Sequence, residues 1–209
     1  MTDTATPHRI TTIEALEAVY GTPNANSTDK EADCLIPSYR RYVEVSPFVA
    51  LATVGPEGID CSPRGDRPGF VRVHNERTLM MPDRRGNNRV DSLRNIVRDP
   101  RCAFLFLIPG AGNCLRVNGR AHLSTDPSRC DSFAIDGKPP RSVIVLEVET
   151  VYFQCARAII RAGLWDPAAR VNDADLPSAG DMLAEITKGR LGGEAYDREW
   201  PGRAAKSLW

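Results

Sequence analysis

The chain lacks most of the features that announce a function early. No apolar run approaches the length of a membrane span, so no membrane helix is expected. The opening stretch, Met1 to Pro7, has no basic region followed by an apolar one. That argues against a signal peptide and predicts a cytoplasmic protein. Six cysteines, Cys34, Cys61, Cys102, Cys114, Cys130 and Cys155, form no Cys-x-x-Cys pair, and no histidine stands at metal-finger spacing. No metal site is expected, and the thiols are read as reduced, several of them as small buried groups. Formal net charge is zero, which argues against a dedicated nucleic-acid binder. No Ser-His-Asp set, Walker loop or Gly-x-Gly-x-x-Gly fingerprint is present. The three histidines, His8, His74 and His122, have no partner in the sequence pattern. Any chemistry is therefore expected to come from a cofactor rather than from acid-base side chains.

What is present is an ordinary globular composition, 42% hydrophobic and 26% charged over 209 residues, enough for one sizeable core. Ile13, Leu16, Val19 and Tyr20 recur at helical spacing behind Thr11 and Thr12, and Gly21 stops that helix. Residues 22–30 read as loop. A second helix is expected from Ile36 to Val45, with Tyr39, Tyr42 and Val43 inward. Phe48 to Val54 and Ile59 to Pro63 flank a Gly55-Pro56-Glu57-Gly58 turn and form a hairpin. Val71 to Val73 and Thr78 to Met81 form another. Val90, Leu93, Ile96 and Val97 then repeat at helix spacing until Asp99-Pro100. Cys102 to Ile108, Cys114 to Ser124 and Ser142 to Tyr152 are long strands, the last with two different faces. A helix is expected from Ser178, with Met182, Leu183 and Ile186 inward, and the end of the chain is read as an arm. The class is mainly β with peripheral helices: a small antiparallel barrel.

Charge is unevenly spread. From Arg64 to Arg101 there are ten arginines against five acids, a local excess that suits an anionic ligand. Only four of the 27 basic residues are lysine, and the planar fork of arginine matches phosphate well. The blander reading is an arginine-rich composition scattered over the surface. Gly86-Asn87-Asn88-Arg89 stands just before a helix. With Asn88 as N-cap, the first helical amides point outward, Gly86 allows close approach, and Arg89 adds a charged contact for a phosphate. The alternative is an ordinary capped turn. Arg64-Gly65-Asp66 closes a strand; Arg64 either reaches a phosphate or pairs with Asp66. Arg116, Asn118 and Arg120 share one face of a strand, either lining a pocket or facing solvent.

The order of these motifs resembles the pyridoxamine 5′-phosphate oxidase-like flavoproteins with the FMN-binding split barrel, from about Pro47 to Tyr152. The resemblance rests on Ser62-Pro63-Arg64-Gly65-Asp66, on Met81-Pro82-Asp83 through Arg89, on Leu93-Arg94-Asn95-Ile96, on Cys102 to Ile108, and on Leu115-Arg116-Val117-Asn118-Gly119. Tyr152-Phe153-Gln154-Cys155 and Gly163-Leu164-Trp165-Asp166-Pro167 look like an uncharacterised bacterial subgroup. The resemblance implies residues 1–46 as N-terminal helices on the barrel, 47–165 as the FMN-binding split barrel and 166–209 as a C-terminal helix and arm, in one structural domain. It implies FMN at a homodimer interface, with a small-molecule substrate or an electron donor such as NAD(P)H, and no nucleic acid or membrane. The implied cofactor contacts are Arg64, Gly65, Asp66, Met81, Pro82, Asp83, Gly86, Asn87, Asn88, Arg89 and Arg116. Phe153 to Trp165 is expected to close over the flavin, adding Arg161 and Trp165. The rivals are deazaflavin F420 or haem on the same barrel, and a non-enzymatic flavin-binding or stress-protective module. The chain departs from the true oxidases. It has Gly-Asn-Asn-Arg where they carry Ser-Arg-Lys, and its last residues do not match their substrate-binding strand. Oxidation of pyridoxine phosphates is therefore expected to be absent or feeble.

Overall fold

A computed structural model describes residues 8–206 and Leu208. The chain divides into two compact units, before and after Glu31–Ala32. In the first unit, α1 (Ile13–Tyr20) starts where Thr12 Oγ accepts from the Ala15 amide and ends at Gly21, whose φ is 69°. The segment read as loop contains a short helix, α2 (Ala25–Thr28), capped by Asn24. Asn24 is a good cap, but a single turn has too few apolar positions to show a period.

The second unit is built on α3 (Pro37–Val45) and seven strands: β1 (Phe48–Gly55), β2 (Gly58–Gly65), β3 (Arg72–Asn75), β4 (Thr78–Pro82), β5 (Arg101–Leu107), β6 (Cys114–Ser124) and β7 (Val143–Gln154). They form one antiparallel sheet in the order β2-β1-β5-β6-β7-β4-β3. The sheet curls until residues of β1, β4, β5, β6 and β7 share one core. Phe104, Phe106, Leu115, Leu146 and Met81 are fully buried there, and α3 adds Tyr39 and Val43. The edge strands β2 and β3 do not pair, so the barrel is split. α4 (Asp91–Arg98) lies against β1, where Asn95 Nδ2 donates to Thr53 Oγ1 at 3.2 Å. α5 (Pro127–Ser132) helps to cover the other face of β7, placing Cys130 and Phe133 against Val143 and Val145.

The two faces of β7 change over partway. Ile144, Leu146 and Val148 face the core, then Val151 does. The register explains this: Gly119 pairs Val148 and Asn118 pairs Thr150, so Glu149 is an extra residue in β7. This β-bulge resets the alternation. Gly119 is required beside it, because a Cβ there would collide with the Glu147 carbonyl oxygen.

Other expectations are corrected. The face of α4 that is buried carries Ser92, Asn95 and Ile96, whereas Val90 and Val97 are exposed. α6, within the segment expected to close over the flavin, is only Arg157–Ala162 and has no buried residue. In α7 (Ala179–Ile186), Met182 and Ile186 are exposed; Gly180 is buried against α8 (Glu194–Ala205). The expected C-terminal arm is thus largely helix, with Pro201 inside it. Among the described residues no helix is long and apolar enough to cross a membrane.

Candidate functional site

A cleft of about 950 Å³ opens where the end of β2, the β4–α4 connection, the first turn of α4 and the segment before β7 converge. Pairing of β4 with β7 brings the last two together. The Asp83 amide donates to the Ser142 carbonyl at 2.9 Å, just beyond the paired strands.

One wall is a hydrogen-bonded chain. Arg64 donates to Ser62 Oγ, to the Pro63 carbonyl at 3.0 Å and to Ser92 Oγ at 3.1 Å. Ser92 Oγ in turn donates to Asp60 Oδ2 at 2.5 Å. The sequence of β2 produces this directly. Asp60, Ser62 and Arg64 alternate on one face, and α4 presents Ser92 to them. Arg64 Nε is buried with no hydrogen-bond partner among the described residues. A donor so isolated costs about 1–3 kcal/mol.

The floor is the β4–α4 connection. Asn87 Oδ1 accepts from the Arg89 amide at 3.0 Å, making a local turn. Asn88 and Val90 are both left-handed, with φ of 61° and 53°. The N-cap of α4 is Val90, without a side-chain cap bond, and not Asn88. The first amides of α4 therefore lack a capping side chain. Arg89 is exposed and bonds Asp91. Arg141, from the opposite wall, donates to Asn88 Oδ1 at 3.1 Å. Asp83 is half-buried. Burial pushes its carboxyl above the ordinary carboxylate range, and the charges of Arg64 and Arg141 pull it back down.

Electrostatics set the character of the site. Arg64, Arg84, Arg85, Arg89, Lys138 and Arg141 line the cleft against Asp60, Asp83 and Asp91, six cations to three carboxylates. Arg84 is committed to Asp66 at 2.7 Å and to the Phe133 carbonyl at 2.8 Å. Arg64, Arg85, Lys138 and Arg141 make no ion pair among the described residues.

Of the residues singled out in the sequence, the cleft brings together Arg64, Gly65, Pro82, Asp83, Gly86, Asn87, Asn88 and Arg89. It does not include the others. Asp66 is buried behind it, paired with Arg84 rather than Arg64. The Met81 side chain is fully buried in the core. Arg116 lies on the outer sheet face, donating to the Tyr152 hydroxyl at 3.1 Å. Arg161 is on the exposed α6, and the Trp165 indole donates to the Ala111 carbonyl at 2.7 Å. Sequence reading missed Asp60, Ser92 and the whole wall from Ile135 to Ser142. The signal for that wall was Lys138-Pro139-Pro140-Arg141, two cations around a stiff proline pair directly before a long strand.

No curated protein matches the chain. Solved structures similar to it include HupZ of Group A Streptococcus, at 15% identity and TM-score 0.46, covering 56% of this chain and 91% of that one. A provisionally assigned pyridoxamine 5'-phosphate oxidase of Lactobacillus delbrueckii has 20% identity and TM-score 0.47, covering 58% and 95%. General stress protein 26 of Bacillus anthracis has 15% identity and TM-score 0.41, covering 54% and 88%. The family model described as pyridoxamine 5'-phosphate oxidase matches residues 35–155. That is more than half of the chain and contains every residue of the cleft. The chain belongs to the pyridoxamine 5'-phosphate oxidase family.

Proposed function

We propose that the cleft binds flavin mononucleotide and that the protein is an FMN-dependent oxidoreductase acting on a small molecule, with NAD(P)H as electron donor. The observation that carries this reading is the charge of the cleft, six cations to three carboxylates, inside the region that matches the family. The residues present fit a phosphorylated ring. Arg64 is held in one geometry by three bonds and keeps an unsatisfied Nε–H. The uncapped start of α4 offers backbone amides, and Arg89 stands beside them. These groups hold the phosphate. Pro82 and Asp83, at the end of β4, lie beside the ring. A bound flavin supplies the electron transfer that no side chain in the cleft offers.

The reading includes a homodimer. Ala50 and Ala52 of β1 stand opposite Leu105 and Ala103 of β5 on the outer face, all partly exposed and apolar. An obligate twofold interface on this face buries roughly 2,000 Å² or more in total.

The test is the absorption spectrum of the purified protein, with mass spectrometry of the ligand released on denaturation. A flavin spectrum and released FMN are expected. A deazaflavin or haem spectrum, released FAD, or no binding of added FMN would overturn the reading. Oxidation of pyridoxamine 5′-phosphate at about 1 per second or faster, an ordinary enzymatic rate, would instead restore the vitamin B6 reaction.

A further inference from the structure

We propose that Asp60 and Ser92 are positioning residues of the cleft: through the Ser92 hydroxyl, the Asp60 carboxylate holds Arg64 in its anion-binding geometry without pairing with it. The inference rests on the flavin reading of the cleft, and it gives an acidic residue of an anion site a part in binding the anion.

The hydroxyl works in one direction only. An ionised carboxylate is an acceptor and not a donor, so Ser92 spends its single O–H on Asp60 Oδ2, at 2.5 Å. The lone pairs of Ser92 Oγ are left to accept, and Arg64 Nη2 donates to them at 3.1 Å. Ser92 is 2% exposed, so bulk water does not compete for either bond. The fold supplies the three groups from two elements. Asp60 and Arg64 stand on the half-buried face of β2, and Ser92 reaches them from the first turn of α4, 28 positions beyond Arg64 and 32 beyond Asp60.

The relay leaves open what a direct pair would close. Arg64 spends Nη1 on Ser62 and Pro63 and Nη2 on Ser92, while Nε–H has no partner among the described residues. Arg84, in the same cleft, shows the other outcome: Asp66 Oδ2 accepts from its Nε at 2.7 Å, so that donor is spent. Asp60 makes no ion pair among the described residues, because a hydroxyl stands between it and the guanidinium. The two effects of Asp60 on an anion are opposite in sign. Its charge repels the anion through space, but the cleft is open to water and holds six cations to three carboxylates, which weakens that repulsion. Its bond to Ser92 fixes the arginine that the anion meets, so less side-chain freedom is lost on binding. The second effect acts at hydrogen-bond distance and outweighs the first.

The test is a double-mutant cycle in the full chain, read by the change in flavin fluorescence as FMN is titrated at constant ionic strength. Asp60→Ala and Ser92→Ala should each weaken FMN binding about tenfold, the scale of one charge-assisted hydrogen bond. In an Arg64→Ala background the same changes should weaken it less than about twofold, or tighten it, because the residue they position is gone. Charge alone predicts the opposite for Asp60→Ala, a tighter complex when Arg64 is present. Tighter or unchanged binding there would overturn the proposal. So would equal losses in both backgrounds, which mean a deformed cleft and not a positioned arginine. Ser92→Ala removes one oxygen atom and carries the test if the Asp60 variant does not fold. If wild-type protein binds no FMN, the flavin reading fails separately. The cycle is then read with inorganic phosphate by thermal shift. Stabilisation that Asp60→Ala and Ser92→Ala abolish sustains the pair; stabilisation that survives them, or none in wild-type protein, removes it.

Discussion

Strand β7 and the connection from Asp83 to Val90 are neighbours across the β4 pairing, yet they are specified in opposite ways. The first four residues of β7 are buried, with one face in the main core and the other against Phe133 and Cys130. The connection is exposed from Arg85 to Val90, carries three arginines, and holds two residues in the left-handed region. Packing fixes the strand, because each side chain has a complementary place. Local turns and a few hydrogen bonds fix the connection; Arg84 pairs with Asp66 and Arg89 with Asp91, and Arg85 makes no ion pair among the described residues. Stability and function are thereby separated along a short stretch of chain.

The most severe way to probe that separation is through the core. Leu146→Ala should cost about 2–5 kcal/mol, the usual range for a buried leucine. Arg85→Ala, on the exposed connection, should change stability by no more than about 0.5 kcal/mol. Urea denaturation of the two variants checks both, and equal losses would collapse the distinction. Next comes the outer face of β5. Leu105→Glu puts a charge among Ala50, Ala103 and their neighbours, and should turn a dimer into a monomer by light scattering while each chain stays folded.

Within the cleft, Arg64→Gln should weaken FMN binding by about 1.5–3 kcal/mol, the scale of a charged hydrogen bond. Arg89→Ala should do less, because Arg89 is exposed and shared with Asp91. A fluorescence titration that ranks them the other way would move the phosphate away from Arg64. The smallest effect is at Asp83. Its folded carboxyl titrates above its ordinary value, so burial disfavours the charged form. The fold therefore gains stability as pH falls from above the folded value toward the ordinary one, and loses it as pH rises through that window. Asp83→Asn should remove that part of the pH profile and tighten binding of phosphate at neutral pH. A melting profile that matches wild type across the acidic range would show that Asp83 is not so held.

Most of the sheet was legible because its strands are long enough to show their periods. β1, β5 and β6 lie within a residue or two of where apolar runs put them. The errors fall where local rules and tertiary context disagree. Asn88 is the better cap by type, and a β-branched residue at positive φ is rarely expected, yet Val90 caps α4. The end of the chain was read as an arm, yet α8 forms there around the stacked Tyr196 and Trp200, with Pro201 inside it. The Lys138–Arg141 segment carries a local signal, but its place beside Asp83 depends on β4 pairing with β7, more than sixty positions away. Arg64 was legible as an anion ligand, but its bond to Ser92 spans 28 residues and follows from no local pattern.

The extra residue at Glu149 has an evolutionary corollary. Along most of a strand, deleting one residue sends every later side chain to the wrong side. Here the strand already carries a one-residue offset, and Gly119 is shaped to receive it. Loss of Glu149 alone would instead join Val148 to Thr150 in unbroken alternation, leaving Val148 and Val151 both inward. A strand without this insertion therefore keeps its inside-outside pattern on both sides of the site, and Glu149 is the one place in β7 where a residue can be lost without turning the rest of the strand over.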